Sequence, residues 1–166
     1  MIITESDMTF DLPDDACFHI EESKVYKSIR SGVKIAEFLF RKKDSVIWCV
    51  EVKSSTPHPD NPLKVSEFIS DIKDKLLNTF SLFFALLLGR HSTTNELPPA
   101  LQTCDLSTVK VQFVLVINTE RTQEGLFRIR DDLYNALYPT CKTWNLGPTP
   151  VIVLNDENAR KRGLIQ

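Results

Sequence analysis

Glu51 and Lys53 stand two residues apart at the end of the stretch Val46-Ile47-Trp48-Cys49-Val50-Glu51-Val52-Lys53-Ser54-Ser55. β-branched and aromatic residues dominate this stretch and no Gly or Pro interrupts it, so it reads as a strand. A spacing of two projects both charged side chains from one strand face. The faces are otherwise largely apolar, as in a strand covered on both sides. A carboxylate and an ammonium are costly to bury unless they are paired or used. The alternative is an ordinary ion pair where the strand emerges into water.

A further acid, Glu37, lies inside the apolar stretch Val33-Lys34-Ile35-Ala36-Glu37-Phe38-Leu39-Phe40-Arg41, which reads as another strand. The short polar connection Arg41-Lys42-Lys43-Asp44-Ser45 predicts an antiparallel hairpin between the two. Such a hairpin brings Glu37 beside Glu51 on one face. Two carboxylates and a lysine converging on a sheet are awkward for packing. They match the needs of a divalent cation and an activated water: hard oxygen ligands for the metal, and a cation near the nucleophile.

Glu37, thirteen intervening residues, then Glu51-Val52-Lys53 resembles the motif of the PD-(D/E)xK nuclease superfamily, an acid on one strand followed by Glu-x-Lys on the next. The similarity runs from Phe18 to Arg90, plus a later strand and helix. Ala36-Glu37 stands where Pro-Asp is usual. The resemblance implies an α/β fold with a mixed central sheet, flanking helices and a restriction-endonuclease-like core. It implies a metal-dependent phosphodiesterase or nuclease acting on nucleic acid, with Mg²⁺ or Mn²⁺ held by Glu37, Glu51 and the Val52 carbonyl. Lys53 would then orient the attacking water and stabilise developing charge. The superfamily often adds an acid from a helix before the sheet, and Glu22 is the candidate, with Glu21 behind it. The helix after Glu-x-Lys can also offer a polar group, here Lys75 or Asn78. The other implied outcome is a nuclease-like domain that no longer cleaves and binds nucleic acid or protein.

The elements that must position these residues fit one domain spanning residues 1–166. The apolar content of 42% suffices for a core. A net charge of −2 argues against a strongly cationic coat, but the charge is uneven. Residues 1–22 carry seven acids and no Lys or Arg, leaving 15 acids against 20 bases, a net +5, in the remainder. The lead over residues 1–17 is expected to be a solvated acidic terminus, and the body is compatible with phosphate binding. No secretory leader or membrane span is expected. Cys17, Cys49, Cys104 and Cys141 form no Cys-x-x-Cys pair, so a zinc knuckle is not expected and the thiols should be reduced, as in a cytoplasmic protein. A homo-oligomer or protein partner is compatible with this reading.

In chain order, Met8 to Leu12 alternates as a short edge strand stopped by Pro13. Lys24 to Ile29 reads as a strand turning at Ser31-Gly32, with a short helix capped by Ser23 as the alternative. Ser54 to Pro62, with three prolines and His58, reads as a loop placed to rim the site. A long helix runs from Val65 to Gly89, with Phe80, Phe83 and Leu87 directed to the core and Gly89 as its cap. His91 to Leu106 is a polar loop, Val109 to Ile117 an internal strand, and Gln123 to Leu137 a helix ended by Pro139. Val151 to Leu154 is a buried strand. Asp156 to Arg162 is a brief polar helix whose Arg160-Lys161-Arg162 is a solvated basic end or a phosphate contact. The late strand, helix and strand predict a βαβ crossover, hence a mixed sheet.

Overall fold

The first twelve residues fold back on themselves. In the computed structural model, which describes residues 1–42, 46–91, 96–122 and 124–165, Ile2–Glu5 (β1) pairs antiparallel with Met8–Asp11 (β2). Ser6 and Asp7 between them take φ of 52° and 61°. Two consecutive left-handed residues give the turn whose twist suits a two-residue hairpin. Cys17–Phe18 (β3) follows, then a 3-10 turn at Ile20–Glu22 and the helix Lys24–Ile29 (α1). Phe38–Lys42 (β4) and Val46–Lys53 (β5) form an antiparallel pair. Pro62–Leu87 (α2), Pro99–Gln102 (α3) and Lys110–Ile117 (β6) come next. A second 3-10 turn at Glu124–Leu126 leads into Phe127–Thr143 (α4), Val151–Asn155 (β7) and Asp156–Lys161 (α5).

β3, β4, β5, β6 and β7 lie side by side in that order as a five-stranded mixed sheet. The first two pairings are antiparallel, while β5–β6 and β6–β7 are parallel. α2 and α4 supply the crossovers that parallel neighbours require. Alternation along β5 sorts its side chains between two apolar clusters. Ile47 and Cys49 join α2 and α4 residues such as Ile72, Leu76, Phe83, Leu133 and Leu137. Trp48, Val50 and Val52 face the N-terminal hairpin, packing with Ile3, Phe10 and the C-terminal Leu164 and Ile165. Glu51 and Lys53 therefore fall on the helix-covered face by strand periodicity alone. Among the described residues no helix is long and apolar enough to cross a membrane.

Several expectations need correction. The lead is not a solvated tail: Ile3, Met8, Phe10 and Leu12 are buried, while Asp7, Asp11, Asp14 and Asp15 point outward. The stretch Lys24 to Ile29 is helical, because the Ser23 hydroxyl accepts from the Tyr26 N–H and the Glu96 carboxylate accepts from the Lys24 and Val25 N–H groups. Two of the orphan donors of the first turn are thus met from a segment about 70 residues away. The Glu37 stretch is a strand only from Phe38 onward. Pro139 does not end α4 but lies inside it. It is exposed, so the backbone acceptor it leaves unmet faces water, and the buried face continues from Leu137 to Cys141. Leu86 rather than Leu87 completes the buried face of α2; Leu87 is half-buried. Within the Arg41 to Ser45 connection, residues 43–45 lie outside the described residues, as do residues 92–95 of the loop after α2 and the proposed helix start at Gln123.

Candidate functional site

The site lies on the helix-covered face where β5 outruns β4. The last register pair of β4 and β5 is Phe38 with Val50, and the Glu37 N–H donates to the Val50 carbonyl at 3.1 Å. Strand alternation turns the Val52 carbonyl to the same edge, beyond the paired part of β4. Glu37 is held there from α2: the Ala36 N–H donates to Thr79 Oγ1 at 2.7 Å, and Asn78 Nδ2 donates to the Lys34 carbonyl at 2.8 Å. The acid therefore sits on a short extended lead-in clamped to the helix, not inside a strand.

Glu51 is fully buried and Glu37 is 6% exposed. Lys75, from the middle of α2, lies with its Nζ 2.8 Å from Glu51 Oε1 and 3.7 Å from Glu37 Oε1. Lys53 Nζ lies 2.9 Å from the same Glu51 oxygen and 3.7 Å from Asp71 Oδ2. Asp71 in turn pairs with Lys34 at 2.6 Å. The second oxygens, Glu37 Oε2 and Glu51 Oε2, are buried with no hydrogen-bond partner among the described residues. Buried carboxylate oxygens are rarely left in that state, and a cation is one of the standard explanations.

The electrostatics follow from that crowding. Burial, the neighbouring Glu21 and the charge of Glu51 push the Glu37 carboxyl up to about 9. Burial also raises Glu51, against the pull of Lys75 and Lys53. Burial works against the Lys75 ammonium, yet Glu51, Glu37 and Glu21 together hold it above its ordinary value. For Asp71, burial is outweighed by Lys34, Lys53 and Lys75, which hold its carboxyl below the usual range. Nucleophilic sulfur is not on offer: the four cysteines are buried, and burial pushes the Cys17 thiol up to about 12.

The structure thus brings Glu37, Glu51, Lys53 and Lys75 together, with Val52 between the two charged β5 residues and its side chain in the opposite cluster. It does not bring Glu22 there. That residue is exposed and pairs with Lys27 at 2.6 Å. Glu21, one residue earlier on the 3-10 turn, approaches Glu37 instead. Asn78 serves the backbone of Lys34 rather than the acids. His58 sits in the exposed loop beside Asp60. Sequence reasoning missed Asp71, although Asp71, Lys75 and Thr79 form a polar row at steps of four on an apolar helix. It also missed Glu5 and His19. Ligand atoms of Glu5, His19, Glu21 and Glu37 all lie within 4.8 Å of one another. No periodicity links these four, which come from separate turns and strand ends.

The residues fit a hard divalent ion in donor type, since the unpartnered oxygens of Glu37 and Glu51 are carboxylate oxygens of the sort Mg²⁺ and Mn²⁺ take. Compared with family models, with curated proteins and with solved structures, the chain matches none.

Proposed function

We propose that the chain is a metal-dependent phosphodiesterase acting on nucleic acid, with a restriction-endonuclease-like arrangement at its centre. The observation carrying this reading is the pair of buried carboxylates, Glu37 and Glu51, each with an unpartnered oxygen, beside a lysine at the strand end. The succession of elements agrees with it: an acid just before one strand, Glu-x-Lys ending its antiparallel neighbour, and a helical crossover to a parallel strand.

Glu37, Glu51 and the Val52 carbonyl would hold Mg²⁺ or Mn²⁺. Such an ion polarises a phosphoryl oxygen and lowers the pKa of a bound water when present. Lys53, 25% exposed, is the one of the two lysines nearer solvent and can turn from Glu51 toward a phosphate or a water. In that role it orients the nucleophile and stabilises charge that develops in the transition state. Lys75 is the more buried ammonium and stays with the acids, opposing the effect of burial on Glu51 and fixing its position. Thr79 and Asn78 hold the lead-in so that Glu37 faces Glu51.

One set of observations favours a non-cleaving binding domain. Lys53 and Lys75 both satisfy Glu51 Oε1, so the two buried acids already have two ammonium partners. The open groove of about 490 Å³ along α2 beside the site is lined by three acids, Glu67, Asp71 and Asp74, against one cation, Lys34, which Asp71 already pairs, so on balance it disfavours phosphate. The test is cleavage of single- and double-stranded DNA and RNA by the wild type and by Lys53→Ala, with Mg²⁺, Mn²⁺ or chelator. Cleavage that requires metal and drops at least on the order of a hundredfold in Lys53→Ala supports the enzyme reading. A wild type that cuts nothing, or a Lys53→Ala chain that cuts equally well, overturns it.

A further inference from the structure

We infer that Glu5, His19, Glu21 and Glu37 form a mixed nitrogen and oxygen site for a transition-type divalent cation such as Mn²⁺ or Zn²⁺, which staples the N-terminal hairpin to the main sheet. It shares Glu37 with the site above but does not depend on that site being catalytic.

The ligand atoms already lie within 4.8 Å of one another. Ligands about 2.0–2.2 Å from a common ion stand up to about 4.4 Å apart, so small rotamer adjustments close the set. Two further observations point to a ligand there. Glu37 is more than nine-tenths buried, and its Oε2 meets no N–H or O–H donor of an ordinary side chain or backbone group among the described residues; the carboxyl of Glu21 is its neighbour there, an acid beside an acid that a shared cation would hold. His19 Nε2 is also buried and unpartnered. An imidazole nitrogen grouped with three carboxylates is the donor set of a borderline metal. Mg²⁺ takes oxygen and keeps its waters, so it gains little from His19.

Three of the four residues are already close through the backbone, since β3 pairs with β4 and the Glu21 N–H donates to the Glu37 carbonyl at 3.4 Å, whereas Glu5 comes from a piece that this ladder does not join. Glu5 ends β1, in a two-stranded sheet of its own. His19 follows β3, Glu21 lies on the 3-10 turn, and Glu37 precedes β4. The hairpin otherwise meets the main body through its buried apolar side chains, a Phe10–Ile165 bridge and the Asn118 amide, which donates to the Ser6 carbonyl at 2.9 Å. Asn118 lies just after β6, at the same strand end as Lys53, whose carbonyl accepts from its N–H at 2.8 Å. That contact already seats the turn after β1 beside the site. A shared ion adds a ligand bond at the same place and ties three segments together.

The experiment uses the full chain stripped of metal, then titrated with Mn²⁺, Zn²⁺ or Mg²⁺ and followed by calorimetry, by pulsed EPR of Mn²⁺ for nitrogen coupling, and by hydrogen exchange of residues 2–11. The expected result is saturable Mn²⁺ binding with a histidine nitrogen signal and slower exchange in the hairpin. His19→Ala should lose the nitrogen signal, and both His19→Ala and Glu5→Gln should weaken Mn²⁺ by on the order of tenfold or more. Glu51→Gln should retain the nitrogen signal, which separates this site from the phosphodiesterase reading. Glu5→Gln is nearly isosteric at a partly exposed position, so it keeps the test decisive if His19→Ala fails to fold. Wild-type Mn²⁺ binding without nitrogen coupling overturns the inference. So does Mn²⁺ affinity unchanged in Glu5→Gln, or no binding of either transition ion.

Discussion

Lys75 Nζ lies 2.8 Å from Glu51 Oε1, so the middle of α2 is tied to the end of β5 by an ion pair whose acid is wholly buried. The same ammonium reaches Glu37, and the helix that carries it also clamps the Glu37 lead-in through Thr79. α2 is therefore both the core of the helical layer and the frame of the site.

Lys75→Met tests the ion pair directly. It leaves Glu51 buried with Lys53 as its remaining ammonium. Breaking a buried pair costs about 3–5 kcal/mol, and the surviving Lys53 contact should place the loss toward the lower end. Urea unfolding near pH 7 measures it. Adding Glu51→Gln should recover part of the loss, because the stranded charge is gone. A Lys75→Met chain as stable as wild type would show that Lys53 alone suffices.

The raised Glu37 carboxyl predicts a pH dependence. With a folded value of about 9 against an ordinary 4.5, the folded chain holds a proton that the unfolded chain releases across that window. Stability from this group is full below the lower value, and it falls as pH rises toward the upper one. The shift of Glu51 has the same sign. In chelator, the thermal midpoint should decline from pH 5 to pH 9, and Glu37→Gln should flatten the decline. Saturating Mn²⁺ should also flatten it, since the ion takes the proton's place.

Thr79→Val keeps shape while removing the acceptor of the Ala36 N–H. A buried donor left unmet costs about 1–3 kcal/mol. If Thr79 positions Glu37, metal affinity should fall along with stability. A drop in stability alone would assign Thr79 to the core and not to the site.

Phe83 is fully buried between α2 and the sheet, in ring contact with Phe84 at 5.3 Å. Phe83→Ala should cost about 3–5 kcal/mol, read from the denaturant midpoint at unchanged slope. Phe84→Ala, at a half-buried position, should cost less.

Local patterns determined what period and turn chemistry can encode. β5 was legible because β-branched and aromatic residues alternate between two covered faces, and that alternation also set Glu51 and Lys53 on one face. α2 was legible from its repeat of three and four, and Gly89, at φ 64°, closes it as its position suggested. The antiparallel partner and the parallel crossover between β6 and β7 followed from the same logic, while the parallel pairing of β5 with β6 emerged only in the structure. The tertiary structure decided what depends on groups distant in sequence. Lys24 to Ile29 is too short for its own pattern to choose between helix and strand, and the Glu96 carboxylate at its first turn settles the choice. Pro139 stays within α4 because its missing donor faces water while Leu137 and Cys141 remain packed. Glu21 rather than Glu22 meets Glu37, because the 3-10 turn directs neighbouring side chains apart and Lys27 takes the outer one. His19 sits beside Glu21 as the residue that opens the same 3-10 turn, and Glu5 joins them only through the folding of the hairpin against the sheet. Alternation and helical repeat report which face a side chain occupies; which side chains from different segments share a point in space is set by packing between layers.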